Sequence, residues 1–398
     1  MREPRLLVVS PRYAPDFYGP AAQVHQIDVG LRRRGVEVLV LTAGTRPESD
    51  AFDDVPITAV AACSPVRQGR ATGLLLETAR QIVRMWAIRD RFDVVYILDY
   101  KYQATLLAVA ARLLRRNVVI RRSIDVQPGR RSVPRRIRDW IRDRCTDAVV
   151  AVSPGIHQYI LAERSRPAHV AYVANGVDTG RFRPPADRVE REHVRSELGL
   201  PENGFIAICV GAVHPRKGTL DVVKAWTMAV DRDAAGVLVL IGPCRDPSYE
   251  EEIIRLAHDQ GAGDRVVFHG EQADVARYYR AADVFLFASN REGMPNAVLE
   301  ALAAGLPVVA RDLPILRQLL ADGRGYIVEG RGSEVAHRMA DTIRDVIADP
   351  EVAFRRGECG RRYAIEYHST DEAVRRHLDV FRHVCGFNRH GEKSTVWN

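Results

Sequence analysis

Short apolar runs rich in β-branched residues alternate along the chain with longer amphipathic stretches. The runs Leu6–Val9, Glu37–Leu41, Val94–Leu98, Val118–Arg121 and Ala148–Val152 predict buried strands, each followed by a helix-like segment such as Ala21–Arg34 or Gln103–Leu114. Strand–helix alternation of this kind predicts a parallel α/β sheet. The pattern then restarts. Phe205–Val210, Val237–Ile241, Val266–His269, Val284–Phe287 and Pro307–Ala310 predict a second strand set, with helices over Thr219–Val230, Tyr249–Gln260, Asp274–Ala281 and Ala297–Ala304 between them. Two sheets are therefore expected. The polar, proline-rich stretch 181–190 reads as the linker. From Glu334 to Cys385 the chain reads as almost wholly helical, and residues 387–398 lack apolar periodicity and read as a frayed tail.

Composition agrees with two domains, since 398 residues exceed what one ordinary core organises. No stretch of about 18 residues is free of charge, so no transmembrane helix is expected. The first apolar run is too short for a signal peptide. Cys63, Cys145, Cys209, Cys244, Cys359 and Cys385 show no CxxC spacing and read as reduced thiols of a cytosolic protein. The net charge of +7 favours an anionic partner. A phosphorylated small molecule, an anionic membrane and a nucleic acid all fit that sign, and nucleic acid has no support beyond it. No GxGxxG follows any strand, which disfavours a nicotinamide oxidoreductase.

Ligands of open α/β sheets bind beyond the carboxyl ends of strands, at helix N-termini and loop backbones. The segment 287–310, FASNREGMPNAVLEALAAGLPVVA, runs from a strand through a polar loop into a helix beginning near Pro295 or Asn296, with Asn as a cap. Gly293 permits close backbone approach, and the amides from Gly293 to Ala297 suit a phosphate. Glu292 on the loop and Glu300 on the helix point at different parts of a ligand. Each carboxylate suits a vicinal diol, so one would read a ribose and the other a sugar. The alternative is a capped helix with two ordinary surface glutamates. In VGAVHPRKGTLDVVKAW (210–226), Gly211 opens a loop in which Arg216 and Lys217 precede Gly218 and a helix, an anion site without the Walker A order. The bland reading there is a solvated basic turn.

Glu292 and Glu300, with seven residues between them and followed by ALAAGLPVV, resemble the signature of the family 4 retaining glycosyltransferases. The resemblance runs from Pro11 to about Phe381. It implies the GT-B fold, two facing Rossmann-like domains with a cleft between them. Domain 1–183 would bind the acceptor and be completed by the helix at about 366–386, and domain 184–365 would bind the nucleotide sugar. Carried over, Glu292 contacts the donor sugar, Glu300 the ribose, and the backbone at Met294, Pro295 and Asn296 the sugar and diphosphate. Lys217 matches the family's diphosphate-binding lysine. The matching arginine position is Ala212, and Arg216 supplies a charge from the other end of the loop. His214 would reach the leaving phosphate. VANGVDTGRFRP (173–184) resembles the interdomain Asn-Gly-Val-Asp segment and would shape the cleft floor. Where the family's first loop carries Gly-Gly, this chain has Gly19-Pro20, with fewer N–H donors. Where many members carry a histidine, it has Arg122, with Asp125 nearby to contact sugar or acceptor, or to pair with Arg121 or Arg122.

Asp231-Arg232-Asp233 has cation-site spacing but lies at the wrong end of the sheet, so no metal is expected. In the arginine-rich stretch 130–144, the stripe Ile137, Trp140 and Ile141 reads first as core with a solvated arginine face, and second as a contact for an anionic membrane. The expected function is retaining, metal-independent transfer of a hexose or N-acetylhexosamine from a nucleotide diphosphate sugar, UDP favoured, to a hydroxyl of a saccharide, lipid-linked or small-molecule acceptor. No cofactor beyond that co-substrate is implied. The expected place is the cytoplasm, with peripheral contact at the inner face of the membrane. The alternatives are a nucleotide-sugar epimerase and a non-catalytic nucleotide-sugar-binding protein.

Overall fold

In the computed structural model the described residues are 3–11, 13, 19–42, 51–52, 55–59, 71–98, 102–123, 133–163, 167–230 and 236–386. The expected frayed tail lies outside them. The chain forms two compact units, Met1–Gly176 with Thr370–Asn398, and Val177–Ser369.

The first unit is built on β1 (Leu6–Ser10), β2 (Val38–Thr42), β3 (Ala51–Phe52), β4 (Val55–Ala59), β5 (Val94–Leu98), β6 (Asn117–Arg122), β7 (Ala148–Ala151) and β8 (His169–Tyr172). Their order is β3-β4-β2-β1-β5-β6-β7-β8, and every pair is parallel except β3 with β4. The second unit carries β9 (Phe205–Val210), β10 (Gly236–Ile241), β11 (Val266–Gly270), β12 (Val284–Phe287), β13 (Val308–Arg311) and β14 (Tyr326–Val328), all parallel, in the order β11-β10-β9-β12-β13-β14. Both sheets wind outward in two directions from a central pair, β1/β5 and β9/β12. Such a reversal leaves a crevice at the carboxyl ends of the central strands.

The sequence pattern misses β3, β4, β8 and β14. β4 contains Pro56, which demotes a run to an edge or a non-strand, and the others are two to four residues long. It also misses the helices Ala71–Ala87, Pro154–Leu161, Arg188–Glu197 and Pro314–Leu319. The third corrects the linker. Asp187 caps the helix by accepting from the Glu190 N–H at 2.8 Å, and Arg183 pairs with Glu190 at 2.7 Å, so 181–190 is a folded part of the second unit. The units divide at Gly176/Val177, where the sequence places the boundary at 183/184. There the Val177 N–H donates to His368 O at 2.7 Å and Val177 bridges Ser369, so the outgoing and returning chain run side by side.

The returning helix, Thr370–Val384, packs on the helix Gly19–Arg33. A Cβ at Gly30 would lie 2.5 Å from Val374 Cγ2, so the approach requires glycine. Val374, Leu378, Val380 and Phe381 join β1, β2 and β5 residues in one core. His377 sits in that core. Its Nδ1 lies 2.7 Å from Ala373 O, which only accepts, so Nε2 accepts from Tyr96 Oη at 3.1 Å. Burial, helped by the charge of Arg121, pushes the imidazole down to about 3. The unfolded imidazole therefore takes up its proton first, and stability is lost as pH falls below about 6.5, by about 1.4 kcal/mol per pH unit. Replacing His377 with Gln is expected to remove that slope. Urea melts of the two proteins between pH 4 and 6.5 measure it, and parallel curves would refute it.

Candidate functional site

The loops after β9 and β12 meet at the crevice of the second sheet. Gly211 leaves β9 with φ +144° and donates to Ile241 O at 2.8 Å. Pro215–Lys217 form a short helical turn, capped by His214, whose Nδ1 accepts from the Arg216 N–H at 3.0 Å. That contact gives His214 a local structural task. Gly218 follows with φ +68°, and a Cβ there would lie 2.1 Å from Ala288 O. The turn is thus seated directly on the chain leaving β12.

Two further hydrogen bonds stitch the loops. The Asn290 N–H donates to Arg216 O at 2.9 Å, and Asn290 Nδ2 to Pro215 O at 3.3 Å. Arg311 donates to Asn290 Oδ1 and stands 3.6 Å from Asp221. Lys217 then reaches Glu292, with Nζ 2.7 Å from Oε1 and 5.7 Å from the centroid of the Phe287 ring. Ser289 Oγ donates to the same Oε1 at 2.7 Å, and Arg216 lies 3.6 Å from it while donating to Arg291 O at 3.1 Å. Glu292 is only 12% exposed, whereas Arg216 is 46% exposed. Two cations share one carboxylate, so the cluster keeps a surplus positive charge on its open side, as an anion site requires.

The helix Asn296–Ala303 starts beside this cluster. Its cap residue is Pro295, with no side-chain cap, so Asn296 is the first helical residue; this corrects its reading as a cap. Gly293, Met294 and Pro295 are buried. Glu300 lies one turn in, with Oε2 2.9 Å from Tyr279 Oη, which is also 3.1 Å from Ala297 O. Burial raises the Glu300 carboxyl, opposed by the Tyr279 hydrogen bond and by Arg181. Burial raises Tyr279 further, so it remains a phenol and donates. The second unit therefore brings Gly211, His214, Arg216, Lys217, Glu292 and the segment 293–300 to one end of its sheet. Sequence reasoning missed Ser289, Tyr279, Asp221 and Arg311. Ser289 stands three residues before Glu292 and Asp221 four after Lys217, signals within reach; Tyr279 and Arg311 come from other elements.

In the first unit, Gly19 opens the helix Gly19–Arg33 and Pro20 occupies its first turn. There a backbone N–H has no intrahelical partner, so proline costs no helical bond. Gln23 exchanges two hydrogen bonds with Gly176, at 2.8 and 3.0 Å, and Asn175 Oδ1 accepts from Arg121 at 2.6 Å. The Asn-Gly turn is therefore clamped from beneath. Arg122 is 1% exposed, 3.7 Å from Glu163, with its guanidinium 4.9 Å from the Tyr159 ring centroid. Its surroundings are those of a packed core arginine. Asp125, Asp231 and Asp233 lie outside the described residues.

Residues 190–363 match the family described as Glycosyl transferases group 1, and residues 18–176 the Glycosyl transferase 4-like domain. The chain is similar to the GDP-mannose-dependent alpha-(1-6)-phosphatidylinositol monomannoside mannosyltransferase of Mycobacterium tuberculosis, 30% identical over 264 residues, 64% of this chain and 65% of the relative. It is 34% identical to the lipopolysaccharide core biosynthesis mannosyltransferase LpsB of Rhizobium meliloti over 42% of this chain and 46% of that one. The chain thus spans less than two thirds of either relative's length. Among solved structures, Anabaena Alr3699/HepE in complex with UDP superposes with a TM-score of 0.78 at 18% identity, covering 95% of this chain and all of that one. Sucrose-phosphate synthase from Thermosynechococcus elongatus does so with 0.79 at 22% identity, covering 97% and 100%. These likenesses carry the fold. Residues 18–176 thus match a Glycosyl transferase 4-like domain and residues 190–363 a Glycosyl transferases group 1 domain, and the chain carries this pair of domains on the GT-B fold.

Proposed function

We propose that the chain is a retaining, metal-independent glycosyltransferase that moves a hexose from a nucleotide diphosphate sugar to a hydroxyl acceptor. The observation that carries this reading is the Lys217–Glu292 cluster at the crevice of the second sheet, with Glu300 one helical turn away. Cations for a diphosphate stand beside carboxylates for sugar and ribose hydroxyls. In this reading the donor diphosphate takes Lys217 from Glu292, and Glu292 turns to the sugar. The acceptor oxygen bonds to the anomeric carbon as the bond to the diphosphate oxygen breaks, and the acceptor proton passes to a phosphate oxygen. Lys217, Arg216 and the 293–296 backbone stabilise the leaving charge. UDP is the expected donor nucleotide. GDP-mannose is the second reading, favoured by the relative of 30% identity named for it.

Calorimetric titration of UDP, GDP, UDP-glucose and GDP-mannose in the presence of chelator tests this. One nucleotide is expected to bind at micromolar concentration without metal. Ribose hydroxyls donate to the ionised form of Glu300, and its carboxyl is raised by burial. Affinity should therefore fall with acid at a less acid pH than an ordinary glutamate gives, and Glu300→Gln should bind weakly without that limb. Absence of binding by all four ligands would overturn the proposal.

A further inference from the structure

The face of the first sheet opposite the Gly19–Arg33 and Thr370–Val384 helices is covered by Ala71–Ala87, Tyr102–Leu113 and Val133–Arg144, packed side by side in that order. The last of these inverts the sequence expectation. Ile137 and Trp140 point outward, 55% and 51% exposed, while Arg142 is 1% exposed. Arg142 is held inside by Asp139 at 2.8 Å and Asp143 at 3.0 Å, both themselves buried. The reason is local pairing. A buried guanidinium flanked by two carboxylates is satisfied, and Ile137 and Trp140 are left on the other side while Ile141 is half-buried.

The neighbouring helices add further exposed apolar side chains. Val83 and Trp86 are 68% and 58% exposed, and Leu113 is 80% exposed. Between these apolar groups stand the exposed arginines Arg84, Arg135, Arg136 and Arg144, the last with its guanidinium 5.4 Å from the Trp140 ring centroid. The three helices hold only three carboxylates. Asp139 and Asp143 are buried, and Glu77 is half-buried against Gln81 and Gln103 in a pocket beneath the layer. Just outside the helices, Asp90 is paired with Arg89 and Arg116, and Asp147 with Arg112. The outward surface of the three helices is therefore aliphatic, aromatic and cationic.

We propose that this layer docks on an anionic lipid bilayer, with Trp86 and Trp140 at headgroup depth and the arginines on the phosphates. The chemistry selects that occupant. Interfacial surfaces combine apolar insertion with attraction of basic residues to anionic lipid. A nucleic acid would satisfy the arginines and leave the aliphatic side chains without a partner. A second copy would set arginines against arginines, because a twofold interface meets itself. The proposal needs no catalytic turnover and stands apart from the donor site.

The test is co-sedimentation of the full chain with vesicles of phosphatidylcholine alone, or of phosphatidylcholine with about a third phosphatidylglycerol, at low and high salt. Binding to the anionic vesicles is expected to be at least about tenfold tighter and to weaken with salt. Ile137→Glu with Trp140→Glu, and separately Arg135→Ser with Arg136→Ser and Arg144→Ser, should each reduce it at least about tenfold, with nucleotide titration and circular dichroism unchanged. Equal binding to both vesicles, no binding, or binding untouched by either variant would overturn the proposal. So would a wild-type dimer, seen by light scattering, that Trp140→Glu converts to monomer, since a second copy would then cover the face.

Discussion

Lys217→Ala is expected to lower kcat/KM for the nucleotide sugar by about 10²–10³, or roughly 3–4 kcal/mol, the cost of removing one group placed where charge develops. Steady-state kinetics with the donor identified by titration measures it. The structure supplies a way to separate chemistry from scaffolding. Lys217 is bound to Glu292, so its removal leaves a carboxylate that is 12% exposed with Ser289 and the more distant Arg216. Part of any loss then reflects a displaced loop. Lys217→Met combined with Glu292→Gln removes both charges and should recover stability while activity stays low. If the double variant regained activity, Lys217 would be a scaffold residue. Lys217→Arg should retain donor affinity better than catalysis, because a planar fork replaces a point charge in a space shaped by Gly211 and Phe287.

Gly218→Ala is expected to destabilise the second unit by about 3 kcal/mol or more and to abolish donor binding. Left-handed backbone costs an alanine about 1 kcal/mol, and a methyl 2.1 Å from Ala288 O cannot be accommodated without moving one of the two loops. Gly35→Ala is the control. Its φ is +82° with no atom within 4 Å of the added Cβ, so it should show the backbone cost alone, about 1 kcal/mol. Thermal melts with and without nucleotide compare them. Equal losses would mean that the contact between the loops is not tight.

The core strands of both sheets were legible because buried parallel strands read as continuous apolar runs. β1, β5, β9 and β12 needed nothing more, and they place the crevices. The loop groups gathered at the second sheet's crevice lie within one local stretch each, Gly211 to Gly218 and Glu292 to Glu300, so their nearness could be read locally. What joins them could not. Phe287 under Lys217, Tyr279 on Glu300, and Arg311 between Asp221 and Asn290 are pairings across elements, and no local period announces them. The helix Val133–Arg144 misled for a related reason. An apolar stripe reads as core unless a buried ion pair claims the inside, and the Asp139–Arg142–Asp143 cluster does so at a spacing that looks like ordinary surface charge.

The passage of the chain at Gly176/Val177 and back at Ser369/Thr370 orders events during synthesis. A ribosome delivers the chain from its N-terminus, and domains generally fold as units in that order. Here the order is inverted. Residues 177–369 are contiguous and complete as soon as they emerge. The core that begins with Leu6 waits for Val374, Leu378 and Phe381, which are made only after the whole second unit. Until then the helix Gly19–Arg33 lacks the partner that Gly30 admits, so the nascent first unit carries an uncovered apolar seam while residues 177–369 are made.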